Sequence, residues 1–202
     1  MPDKIRILDF INTAKSAREL LAKRVTRVNT SGRFDNAICC GDGRYVDILR
    51  NSGLDVHVLD QPRNFNPIGI VRSIQRFRSI LAENGITILH THGTLVGAIG
   101  RIAAKLEGTP IVIHQVHGFH HHQHMAPWAR QASIIVERVA AVWSDALLFQ
   151  NAQDLEDCIE CSIAPHTKLS VIGNGVDLEE FKFSPPQTAN HRSFYVSPVL
   201  SQ

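Results

Sequence analysis

At 202 residues the chain can bury one good core and is too short for two α/β domains of ordinary size. Its hydrophobic content of 44% and charged content of 20% are those of a globular body, and a formal charge of +2 excludes a nucleic-acid binder held by a dense basic face. No apolar run reaches bilayer-spanning length and MPDKIRILDF lacks a signal-peptide layout, so the expected location is the cytoplasm.

A sequence pI of about 8.4 still leaves room for an anionic ligand or a weakly anionic surface. The four cysteines form no framework: Cys39 and Cys40 are adjacent, and Cys158 and Cys161 have half of a zinc spacing without a second pair. Reduced thiols are expected.

Residues 5–11, IRILDFI, read as a buried strand. An amphipathic helix follows, with Leu20, Leu21, Val25 and Val28 as its buried stripe. Residues 36–40 (NAICC) are a second strand, YVDILRNSG a short helix ended by Gly53, and LDVHVLD a third strand. Pro62 and Pro67 bracket a loop, after which Ile68, Val71, Ile74, Phe77 and Leu81 recur at helical spacing, flanked by Arg72, Arg76 and Arg78. Residues 86–90 (ITILH) are β-branched and apolar, and Leu95, Ile99, Ile102 and Leu106 then mark a helix closed by Gly108 and Pro110. The run TPIVIHQV delivers His117-Gly118 to a strand end, as residues 86–90 deliver His92-Gly93.

Pro127 opens a helix to about Trp143, with Ile134, Ile135, Val139 and Val142 expected to face inward. The strand DALLFQ, the helical segment QDLEDCIECS and a last strand in TKLSVIG complete the body. Strand and helix alternate throughout, which predicts an α/β fold: a Rossmann-like, doubly wound, mostly parallel sheet with helices on both faces. In such sheets ligands bind at the carboxyl edge. One domain is expected over residues 1–181, and residues 182–202, rich in proline, serine and threonine, read as a linker or disordered tail.

The runs HTHG, GRIAAKLEGTPIVIHQVHGF, ERVAAVWSDALLFQN and VIGNGVDLEEF together resemble the N-terminal domain of family-4 glycosyltransferases. The resemblance covers about residues 4–181. It implies a retaining enzyme of the GT-B type, in which two Rossmann-like domains enclose the active site and the C-terminal one binds the nucleotide-sugar donor. NGVDLEEF usually stands at the junction, so the donor domain is expected to be absent from a chain that runs only to Gln202. The implied function is the acceptor-side half of a transferase, inactive alone, that takes a glycan or lipid-linked acceptor. It would work with a partner subunit carrying the donor half, without nucleic acid and without a cofactor, and with room for peripheral contact at the inner membrane face. The competing reading is a stand-alone acceptor-binding or regulatory module without catalysis.

Glycosyl transfer needs positive or hydrogen-bonding groups where the departing diphosphate gathers charge. The resemblance points to His117 as the residue that contacts the donor sugar, in a positioning and electrostatic role. Its alternative is a histidine satisfied within a crowded strand end. Gly118 lets backbone approach a ligand closely. Thr13, Lys15 and Ser16 replace the glycine-rich turn of many relatives and either bind an anion or form a plain helix cap. His92 and Gly93 either line the acceptor pocket or make a tight turn. Glu137 either bonds loop backbone or acceptor, or is a solvated helical carboxylate. His120, His121, His122 and His124 are consecutive enough that convergence on one ion is not expected, so no metal site is assigned.

Overall fold

The computed structural model describes residues 4–60, 66–118, 126–173 and 175. Seven strands form one sheet in the order β3-β2-β1-β4-β5-β6-β7. They are β1 (Ile5–Thr13), β2 (Phe34–Gly41), β3 (Val56–Val58), β4 (Ile88–His92), β5 (Ile111–Val116), β6 (Ala146–Phe149) and β7 (Leu169–Val171), and every neighbouring pair is parallel. The order reverses between β1 and β4. That is the topological switch point, where the connections leave opposite faces of the sheet and open a crevice at its carboxyl edge.

Alternation along the strands sorts two layers. Ile11, Ile38, Cys40 and Val56 pack against Ala14 of α1 (Ala14–Ser16), Ala17 and Leu21 of a π-helical turn (Ala17–Leu21), Val25 of α2 (Ala22–Thr30), and Val46 and Leu49 of α3 (Val46–Asn51). The strand neighbours Leu8, Phe10, Ala37, Cys39 and Leu89 point the other way. They meet Phe77 and Leu81 of α4 (Pro67–Glu83) and Val96, Ile99 and Ala103 of α5 (Thr94–Glu107). A third cluster joins Val116, Leu147 and Phe149 to Ala141 of α6 (Pro127–Val142) and Cys158 of α7 (Ala152–Glu160).

The doubly wound parallel sheet is as the alternation predicts, but three helical phases differ. Leu20 is 52% exposed while Leu21 and Val25 are buried, because the π-helical turn inserts an extra residue and rotates the stripe. On α4, Ile68 and Val71 are exposed and Ser73, Phe77 and Leu81 face inward. On α6 the inward face is Ile134, Glu137, Ala140 and Ala141, whereas Ile135, Val139 and Val142 face out. Small residues let α6 sit close to the body, so its bulky β-branched residues are left on the opposite side.

Helix α5 is buried over most of its surface, and glycines set its distance from the sheet. A Cβ at Gly97 would stand 2.5 Å from the ring of His114, and one at Gly100 would stand 2.7 Å from Thr91 Cγ2. The four cysteines are free thiols. The runs His120–His124 and 182–202 lie outside the described residues.

Candidate functional site

The site starts from Asp9, the one charged residue in the middle of an apolar strand. It is fully buried on the α2 side of β1, where an ionised carboxylate needs partners for its lone pairs. It has them from four directions. Arg24 of α2 bonds Oδ1, Asn36 Nδ2 of β2 donates to Oδ2 at 2.9 Å, and His90 Nδ1 and His92 Nε2 of β4 each lie 3.0 Å from Oδ1. Parallel registry explains the convergence: Asp9 is directly opposite His90, and His92 lies two residues on, with the same facing.

The strand containing those histidines is Ile88–His92 rather than 86–90, so the HTH run is inside β4 and its two imidazoles share one face. Thr91 between them points to the other face and bonds His114 Nδ1 at 2.9 Å. From His92 the polar contacts continue along the carboxyl edge. His92 Nδ1 is 3.0 Å from His117 Nε2, and His117 Nδ1 is 2.6 Å from the side-chain nitrogen of Gln150. An unbroken chain, Asp9–His92–His117–Gln150, thus runs from β1 across the switch point to the end of β6.

The electrostatics follow from burial and these contacts. Burial raises the Asp9 carboxyl, but bonds from His90 and His92 and the charge of Arg24 outweigh it and hold it well below the ordinary carboxylate value. Burial pulls His92 down to about 4, although its bond to Asp9 opposes the shift. Burial likewise lowers His117, with the charge of His90 adding and the bond from Gln150 opposing. Near neutral pH the chain therefore consists of one carboxylate and neutral imidazoles.

Gly93 and Gly118 follow the two strand-end histidines with φ of 82° and 103°, a backbone region open to glycine and strained for other residues. Both turn the chain sharply at the carboxyl edge. Thr13 caps α1, its hydroxyl accepting from Ser16 N at 3.1 Å and lying 2.9 Å from the Ser16 hydroxyl. Lys15 is exposed and 3.9 Å from Glu19. Glu137 is neither solvated nor at a loop: it is 1% exposed and bonds the buried Arg101 at 2.8 Å, tying α6 to α5 on the far face of the sheet from His117.

Asp9, His90 and His92 also meet the ligand count of a metal site, the single such cluster among the described residues. The donor set fits a cation poorly. Arg24 and Asn36 already hold the carboxylate, and each imidazole nitrogen facing it carries the proton of a hydrogen bond. Asp9, Arg24, Asn36, His90 and Gln150 were not singled out from sequence. One signal was present, an aspartate within IRILDFI, since a lone carboxylate in a buried strand demands partners.

The model of the glycosyl transferase 4-like domain matches residues 17–175. The chain belongs to this family. An Escherichia coli UDP-Gal:alpha-D-GlcNAc-diphosphoundecaprenol alpha-1,3-galactosyltransferase is 35% identical over 150 residues, which are 74% of this chain and 39% of that protein. The glycosyltransferase of Rickettsia africae superposes with a TM-score of 0.68 at 16% identity, covering 91% of this chain and 47% of the other. A UDP-GlcNAc 2-epimerase of Neisseria meningitidis gives 0.64 at 17%, covering 84% and 47%. At these identities the solved structures speak to fold alone, and this glycosyl transferase 4-like domain spans about half of their chains or less.

Proposed function

We propose that this domain is the acceptor-side half of a transferase that moves a sugar from a nucleotide-sugar donor to a glycan or lipid-linked acceptor. The observation that carries the reading is the polar chain across the switch point of a family member whose E. coli relative is a galactosyltransferase. A buried carboxylate, two imidazoles and an amide in register make a rigid polar wall, suited to hydroxyl-rich ligands. His117 is its hub and Gly118 gives backbone access beside it. His92 holds His117 in place, and Gly93 shapes the acceptor side.

Thr13 ends β1, and Lys15 and Ser16 follow it in α1 on the same edge. The exposed charge on Lys15, 3.9 Å from Glu19, suits a donor diphosphate there. Glu137 acts through Arg101 on helix packing rather than on ligand. Most donor contacts, in this reading, come from a second half carried by another chain or segment. Membrane contact belongs to the same proposal, because the outward stripe of α6, Trp128, Ile135, Val139 and Val142, is apolar and exposed, and the relative's acceptor is a polyprenyl lipid. Among the described residues no helix is long and apolar enough to cross a membrane.

The test is a transfer assay from UDP-galactose to a GlcNAc-diphospho-lipid, with the chain alone and mixed with the donor-binding half of the E. coli relative. Acceptor binding alone with turnover only in the mixture is the expected result. Binding without turnover in any mixture would favour the stand-alone module, and no acceptor binding would remove both readings.

A further inference from the structure

Strands β1 and β2 end side by side, and the segments that follow them carry two arginines to one place. Thr13 is paired with Gly41 beyond a register shift between Phe10 and Thr13, an irregularity that re-aims the chain at the end of the ladder. The segments touch there: a Cβ at Gly41 would stand 2.8 Å from the backbone oxygen of Asn12, so glycine is what permits the approach. Arg18 follows β1 in the π-helical turn Ala17–Leu21, and Arg44 follows β2 in the turn before α3. Both belong to the carboxyl edge, on the β2 side of the switch point and away from His117.

The two guanidiniums share one aromatic ring. The guanidinium carbon of Arg18 lies 5.3 Å from the centre of the Tyr45 ring and that of Arg44 lies 4.8 Å from it, and Arg44 Nη2 donates to the Tyr45 hydroxyl at 2.8 Å. Tyr45 is half-buried and packs on the core beneath α2 and α3, so the ring is a fixed platform for both charges. The neighbouring carboxylates are turned elsewhere: Glu19 lies 3.9 Å from Lys15, and Asp42 accepts from Gly43 N at 2.8 Å. Both arginines are exposed, which leaves their remaining N–H donors open to a ligand.

We infer that Arg18 and Arg44, held on Tyr45, form a binding site for a phosphate-bearing group, with a diphosphate as the best-matched ligand. A guanidinium binds phosphate oxygens through paired parallel N–H bonds, and stacking on a ring fixes its plane before the ligand arrives. Two adjoining phosphates answer two neighbouring guanidiniums, and their charge relieves the repulsion between the arginines. The diphosphate of a lipid-linked acceptor and the headgroup of an anionic lipid present this same chemistry. The site is distinct from the polar chain of the crevice, because β2 and β5 are three strands apart, about 14 Å at a strand spacing of about 4.8 Å. Charge and geometry alone carry it, so its failure would leave the transferase reading standing.

The experiment is calorimetric titration of inorganic pyrophosphate into the full 202-residue chain at low salt. The expected result is saturable binding that weakens about tenfold in Arg18→Gln and in Arg44→Gln, each of which loses charge-assisted bonds. Arg27→Gln, at an exposed position of α2, removes the same charge and leaves binding unchanged. All three positions are on the surface, and thermal unfolding checks that the variants fold as the wild type does. A GlcNAc-diphospho-lipid analogue and phosphatidylglycerol vesicles are then titrated separately. Dependence of either on both Arg18 and Arg44 supports the site and names its source as acceptor diphosphate or lipid headgroup. Absence of pyrophosphate binding, or equal weakening by all three variants, overturns the inference, the second outcome marking diffuse surface charge. Pyrophosphate binding that depends on the two arginines but that neither titrant reproduces marks an adventitious ion only and overturns it as well.

Discussion

A buried carboxylate costs several kcal/mol unless its charge is answered, and Asp9 is answered by Arg24, Asn36 and two histidines. Asp9→Asn removes the charge but leaves Arg24 and the histidines facing a weaker acceptor. Because the Arg24 side chain remains 38% exposed, the loss should sit at the lower end of the range for broken buried pairs, about 3 kcal/mol in urea unfolding. A variant as stable as the wild type would show that the cluster contributes little. Acid should act through the histidines first. Below pH 6.5 the unfolded chain takes up protons that His92 refuses in the native state until about pH 4, so native stability falls as pH drops through that window. His92 alone accounts for about 3 kcal/mol by pH 4, with His114 and His117 adding in the same direction. The contribution of Asp9 is retained until lower pH, because its native value lies below the unfolded one. Denaturant midpoints measured from pH 8 to 4.5 should be flat above neutrality and fall below 6.5; a flat profile throughout would contradict the neutral-imidazole chain. The placement of His117, His92 and the two glycines at strand ends was legible in the sequence because each His-Gly pair punctuates an apolar run. Asp9 and Gln150 were not, since their partners are far away in sequence and meet only through strand registry.

At the scale of elements, glycines and small residues govern how closely helices approach the sheet. Gly100→Ala places a methyl group 2.7 Å from Thr91 Cγ2 and 3.0 Å from Phe10, in a core without slack. A loss of about 1–3 kcal/mol is expected by thermal unfolding, and an unchanged midpoint would mean that α5 can shift outward at no cost. The phase of α6 was illegible for a related reason. Helical spacing fits Ile135, Val139 and Val142 as well as it fits Ile134, Ala140 and Ala141, so periodicity alone could not choose which apolar stripe faces in. The choice is made by the buried Arg101–Glu137 pair and by alanines that permit close packing. The unused stripe gives a further expectation. The wild-type chain should sediment with phosphatidylethanolamine and phosphatidylglycerol vesicles, and Ile135→Ser with Val139→Ser should reduce that binding roughly tenfold. Equal sedimentation of both proteins would exclude α6 as the contact.

For the whole molecule, strand–helix alternation was enough to reach the doubly wound sheet, because parallel strands must be joined by crossovers and right-handed crossovers leave few arrangements. The position of the switch point was not readable. It depends on where β4 inserts, beside β1 rather than β3, and this single choice brings the HTH run against Asp9 and places the polar chain at the crevice. In the proposed reading the polar wall meets a sugar, and the acceptor-side assignment becomes a question of binding. The direct measurement is calorimetric titration of a GlcNAc-diphospho-lipid analogue into the 202-residue chain and into His117→Ala. Saturable binding by the wild type, weakened about tenfold in the variant, is the result this reading requires. Wild-type binding that His117→Ala leaves unchanged, or no binding at all, would contradict it.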